Sequence, residues 1–209
     1  MNPRVSILLV LLVLSPAAAR AAEGYRVYES TAASVSGEVL FVSDVAREAC
    51  FLRCAAMPGS QEEILSSRGA RDRLILDTLA LQEQRKLLLG TVDNTTLEGY
   101  ALEAESRMAA CSSPCKREIA PGETREWIRR KLLLRDFFNR RIGVFVEVKD
   151  DDVRRELARR SSVPGIGAKP TWEQVREEML DAQIAREIRN WQTRAASKSR
   201  LILSPLEDR

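Results

Sequence analysis

Residues 124–141 read TREWIRRKLLLRDFFNRR, and the spacing inside this stretch decides the fold class. Ile128, Leu132, Arg135 and Phe138 recur at steps of three and four, which places them on one flank of an α-helix. Trp127, Leu133, Leu134 and Phe137 make the same helix apolar on a second side. A helix with two apolar sides needs neighbours on both, so this one predicts the centre of a small bundle.

The flanking sequence supplies those neighbours. Upstream, Leu74, Thr78, Leu81, Arg85 and Leu88 keep a helical step through residues 69–89, with Ile75, Leu79 and Leu87 widening the stripe and Gly90 as the C-terminal stop. Thr95 and Glu98 have capping-box spacing, which starts a further helix running toward Ala110. Ser43 predicts the cap of a helix over residues 44–56, followed by a break at residues 58–60 and a short helical turn over 62–66. Downstream, three aspartates open a helix over residues 150–160, where negative charge suits the N-terminus. They lack EF-hand spacing, which argues against a calcium loop. Thr171 and Gln174 cap a last long helix, whose ladder is Leu180, Ile184, Ile188, Trp191 and Ala195, with Val175 and Met179 beside it. That ladder needs a partner. Residues 143–148, GVFVEV, read either as a strand or as a linker packed under the next helix.

Two short apolar runs do not fit a helix. Residues 39–42 read VLFV after the turn Ser36-Gly37-Glu38, and residues 200–204 read RLILS before Pro205. Neither can satisfy its own backbone groups when buried, so pairing the two is expected, with Leu40 near Ile202. The fold expectation is mainly α: a multi-helix domain over residues 37–204, closed by a small β pairing of N- and C-terminal strands. Residues 22–36 read as a flexible lead-in, 161–170 as a linker and 205–209 as a tail.

The first 24 residues are MNPRVSILLVLLVLSPAAARAAEG. A positive start at Arg4, an apolar run over residues 5–14 and the small-x-small pattern Ala19-Arg20-Ala21 predict a signal peptide cut after Ala21. The apolar run is too short for an ordinary spanning helix, and an uncleaved anchor is the alternative. No cysteine stands there to take a lipid. Export to an oxidising compartment, the bacterial periplasm, is the expected destination.

Composition narrows the function. The chain has 209 residues, a formal net charge of +3, and 30% charged but only 5% aromatic residues. Removing Arg4 and Arg20 with the signal brings the net charge near neutral, which argues against a nucleic-acid partner. Basic clusters at residues 129–131 and 140–141 read as solvated helix faces. There is no histidine, which removes the commonest general base and metal ligand and every His-containing triad. No nucleophile elbow, phosphate loop or paired-carboxylate motif stands in the sequence, so an enzyme, a prolyl isomerase included, is the least expected class. No cofactor is expected.

All four cysteines fall in two C-x-x-x-C pairs: Cys50 with Cys54, and Cys111 with Cys115. At this spacing the members of a helical pair lie one turn apart on one face. Two facing pairs form rungs between antiparallel segments, most simply Cys50 with Cys115 and Cys54 with Cys111, although sequence alone permits the other connectivities. Four thiolates at C-x2-4-C spacing also fit a zinc site, but an oxidising compartment disfavours it. A redox motif normally has the shorter C-x-x-C spacing.

The order of these elements resembles a known family. Residues 37–45, GEVLFVSDV, residues 73–83, RLILDTLALQE, residues 127–138, WIRRKLLLRDFF, and residues 148–157, VKDDDVRREL, together resemble the N-terminal chaperone domain of the SurA-type periplasmic folding factors. The start lacks the family's asparagine, and Asp152 stands where glutamate is usual. The cysteine pairs are a further departure. In that family a parvulin-type isomerase domain commonly follows the last of these segments. Here only residues 161–170 occupy its place, and residues 172–203 resemble the returning helix and strand. The resemblance implies a chaperone core without its isomerase insert, binding unfolded or partly folded exported proteins such as outer-membrane proteins, without ATP. Candidate client contacts are Phe51, Met57, Trp127, Phe137, Trp172, Met179 and Trp191, each of which also suits a core position. A dedicated assembly factor for one partner, or a homodimer built through the last helix, is the competing expectation.

Overall fold

The structure, a computed structural model, describes residues 29–55, 66–162 and 170–206. The expected break at 58–60, the helical turn at 62–66 apart from Ser66, Met57, the signal segment, most of the 161–170 linker and the last three residues lie outside the described residues. The described chain is mainly helical with one small antiparallel sheet. In order it runs β1 (Thr31–Val35), β2 (Glu38–Phe41), α1 (Val42–Cys54), α2 (Ser67–Leu87), α3 (Asn94–Ala110), α4 (Glu123–Arg141), α5 (Asp150–Ser161), α6 (Trp172–Lys198) and β3 (Leu201–Leu203). Short 3-10 turns at Pro114–Glu118 and Gly143–Phe145 flank α4. Residues 143–148 are therefore not a strand.

The N- and C-terminal strands do pair, but not as the sequence suggested. The sheet order is β2-β1-β3, so the first and last apolar runs are separated by a strand inside residues 22–36, the expected lead-in. Thr31–Val35 is that strand, and it is the centre of the sheet. Ala33 pairs with Leu40 on one side and with Leu203 on the other, while Ser34 lies opposite both Val39 and Ile202. Leu40 and Ile202 are thus not cross-strand partners. Ser36 and Gly37 both take positive φ, 50° and 93°, the pair of values that a tight two-residue hairpin needs. The Ser36 amide then donates to Arg200 O at 2.9 Å, tying the turn to the far end of the chain.

Helix α2 holds the sheet from beneath. Gln82 Nε2 donates to Val35 O at 2.9 Å, Arg85 pairs with Glu38 at 2.9 Å, and Arg71 Nη1 donates to Ser204 O at 3.0 Å. Between them Ala32, Ala33, Val35 and Leu40 pack on Val45, Ala70, Leu74, Ile75 and Leu79.

Helix α4 is central, as its two apolar sides require. Trp127, Ile128 and Leu132 join Phe51, Leu52, Leu97, Ala104 and Met108 in one cluster, while Leu134 and Phe137 join Ala80 in another. Burying side chains of this size stabilises the fold by about 1.5–3 kcal/mol each. Phe51 and Trp127 stack with ring centroids 5.2 Å apart. Gly90, in the connection from α2 to α3, has φ +89°, and a side chain there would press on Leu133 at 3.3 Å.

Helix starts follow local chemistry, with two corrections. Asp44, not Ser43, serves the start of α1, its Oδ2 accepting from Phe41 N at 2.8 Å. Asp93, not Thr95, caps α3, accepting from Thr96 N at 2.9 Å. The Thr171–Gln174 capping box forms in both directions, at 3.2 and 2.9 Å.

Two disulfides, Cys50–Cys115 and Cys54–Cys111, join the end of α1 to the segment after α3. Their Cα atoms are 5.8 and 5.4 Å apart, within the ordinary span of such bridges.

Candidate interaction surface

Helix α6 has 27 residues, and Val175 is its only buried one. Its apolar ladder finds partners only in patches. At the N-terminal end, Val175, Trp172, Met179 and Leu180 pack on Val148, Val153 and Leu157 around α5. Near the C-terminal end, Ala195 and Ala196 reach the sheet cluster. Between these anchors Trp191 is locked to α4, edge-on to Phe137 and Phe138 with centroids 5.9 and 5.4 Å apart. The remaining stretch borders open grooves.

One groove, of about 650 Å³, runs between the start of α3, the middle of α4 and Ile184, with Val92 and Leu132 as further apolar wall and Arg135 and Asp136 as charged rim. A second, of about 360 Å³, lies between α6 and the turn after α4. Ile142, Phe145, Val146 and Trp191 line it, and Arg141, Arg194 and Glu187 stand around them. Phe145 is 78% exposed and its neighbour Val144 65% exposed. A large aromatic at that exposure, continuous with a groove holding a fixed tryptophan, is a surface suited to another polypeptide.

A third cleft, about 450 Å³, opens above the junction of α1, α2 and α4. Phe51, Leu74 and Trp127 form its floor, and Arg47, Glu123, Glu126 and Arg129 its rim. Beneath it lies a charge network absent from the sequence expectations. Glu48, 1% exposed, accepts from Trp127 Nε1 at 2.8 Å and Arg130 Nη2 at 3.2 Å, and pairs with Lys131 Nζ at 2.7 Å. Lys131 also reaches Asp77 Oδ2 at 2.7 Å. Burial pushes the Glu48 carboxyl up, but Lys131, Arg130 and Trp127 more than offset it and hold the group below its ordinary value. The network ties α1, α2 and α4 together. Its sequence signal was an acid set on the apolar stripe between Val45 and Phe51.

The candidate contact residues divide by helix. Phe51, Trp127 and Phe137 sit in the core and offer almost no surface, so as direct contacts they are corrected to floor and packing residues. Trp172, Met179 and Trp191 are half-buried and all lie on α6. Phe145, exposed in the second groove, and its exposed neighbour Val144 are not among the candidates the sequence offers. The unassigned β-branched run at residues 143–148 was the available signal. Among the described residues no helix is long and apolar enough to cross a membrane.

No protein-family model matches the chain, and no curated protein matches it.

Proposed function

We propose that the chain is an exported, ATP-independent, SurA-like chaperone that holds unfolded or partly folded proteins along α6, in the periplasm. The observation that carries this reading is the groove beside α6, where Phe145 stands exposed in one lining with the fixed ring of Trp191 and its chain neighbour Val144 is exposed too. An apolar wall with charged residues at its border allows an extended chain to insert alternate side chains while its backbone stays solvated. Such contacts are weak singly and tolerant of sequence, which suits varied clients. The two disulfides, which fit an oxidising compartment, and the segment-by-segment resemblance to the SurA-type domain support the same reading.

The test is aggregation of several chemically unfolded outer-membrane proteins on dilution, followed by light scattering with increasing amounts of the mature chain. Suppression for all of them is expected. Suppression for one alone identifies a dedicated assembly factor, and no suppression for any overturns the proposal.

A further inference from the structure

The two disulfides bring three of the four sulfurs into one cluster and hold the fourth, Cys111, bonded to one of them. The Sγ atoms of Cys50, Cys54 and Cys115 lie within 4.8 Å of one another, and Cys111 is bonded to Cys54. We infer that, once reduced, these four cysteines form a tetrahedral thiolate site for one zinc ion, so that a metal replaces the disulfides as the brace between α1 and the segment after α3.

The distances make this a small change. Zinc with four sulfurs at about 2.3 Å requires neighbouring sulfurs roughly 3.8 Å apart. Among Cys50, Cys54 and Cys115 the non-bonded sulfurs need to close by about 1 Å at most, Cys111 Sγ has further to swing in, and each bonded pair opens by side-chain rotation. Each pair supplies two ligands four positions apart, within the spacing of structural zinc sites.

The surroundings suit the anionic form of the cluster. Arg53 and Arg107 border the same shallow depression as Cys54 and Cys111. Arg107 Nε and one of its terminal nitrogens, Nη2, are buried and have no hydrogen-bond partner among the described residues. Two orphaned guanidinium donors on a residue that lines the same depression as Cys54 and Cys111 are better served by thiolates carrying net negative charge than by a neutral disulfide. The Ser113 hydroxyl already donates to Cys115 Sγ at 3.2 Å, the type of contact that orients a ligand from outside the metal's own shell.

The chemistry balances. Each disulfide takes two electrons and two protons from one dithiol, which leaves as its own disulfide, and the two bridges together give four thiols. Zinc then displaces four protons and is held as a dianionic tetrathiolate. This inference does not depend on the chaperone proposal, because it concerns a part of the molecule away from α6.

The experiment uses the mature chain, oxidised or reduced with a water-soluble phosphine that leaves as its oxide, titrated anaerobically with cobalt and then zinc. The reduced chain is expected to bind one cobalt with thiolate-to-metal charge-transfer bands and intense tetrahedral visible bands. Zinc should displace the cobalt, and the loaded chain should keep the helical circular dichroism of the oxidised protein. All four thiols should resist alkylation while metal is bound. The oxidised chain should show none of these bands. The double variant Cys54→Ser/Cys111→Ser, which retains the other bridge when oxidised, should lose the four-sulfur spectrum on reduction. Arg107→Ala should weaken binding about 10–100-fold. Absence of the tetrahedral spectrum overturns the inference, whether the reduced chain is folded or not. So does failure of the metal to maintain or restore helicity, protection of fewer than four thiols, or a spectrum unchanged in the double variant.

Discussion

Glu48 and Lys131, 83 positions apart in sequence, meet inside the protein with Oε1 and Nζ 2.7 Å apart. Lys131 sits over the Trp127 ring as well, 5.3 Å from its centroid, and bonds Asp77 on α2. One ammonium group therefore bridges two carboxylates on two helices, and Arg130 supplies Glu48 with a second positive charge. Lys131→Met takes that group from both acids and leaves Glu48 with Arg130 and Trp127. Breaking a buried pair costs about 3–5 kcal/mol, and urea denaturation of the variant should show a loss of that size. A loss below about 1 kcal/mol, the range of an exposed pair, would show that the network is solvated. Glu48→Gln, which keeps the shape and leaves Lys131 its bond to Asp77, should cost less than Lys131→Met.

The same carboxylate sets a pH dependence. Its folded-state pKa is depressed below the ordinary value of 4.5. Its contribution to stability is therefore complete above that value and is lost as pH falls through the depressed folded-state pKa. Urea midpoints measured on acidification should begin to fall below about pH 4.5 in the wild type. In Glu48→Gln the part of that fall owed to this group should be missing. Identical acid profiles for the two proteins would contradict the assignment.

The bridges close large loops, with sequence separations of 65 and 57 residues. Peptide mapping of the non-reduced protein should recover Cys50 with Cys115 and Cys54 with Cys111. Replacing both members of either bridge by alanine, in the absence of metal, should lower stability by about 2–5 kcal/mol. Four free thiols in the protein, or the alternative connectivity, would contradict the braced architecture.

What the sequence made legible was whatever repeats locally. The two-sided stripe of α4 predicted its central place, and the Thr171–Gln174 box predicted the start of α6 to the residue. Strand β1 escaped because TAASV has little apolar bulk. Its alanines are small because β2 and β3 flank it and α1 and α2 pack below, so that alternation of large side chains, the usual signal, is absent. The dipeptide Ser36-Gly37 was the available clue: it is a hairpin turn, and a hairpin needs a strand on both sides. The Glu48 network was hidden for a different reason. It is a long-range arrangement of ordinary charges, and nothing in the local spacing of α1 announces the lysine that completes it.

The central claim, that other polypeptides lie along α6, is tested most directly by site-specific photo-crosslinking to an unfolded outer-membrane protein. A photoreactive residue at Phe145, exposed beside Trp191, and one at Leu102, exposed on α3 and outside all three grooves, are compared in the same protein. The account predicts strong crosslinks from position 145, few from 102, and loss of the former when Val144 is also changed to serine. Equal crosslinking from both positions, or none from 145, would contradict it.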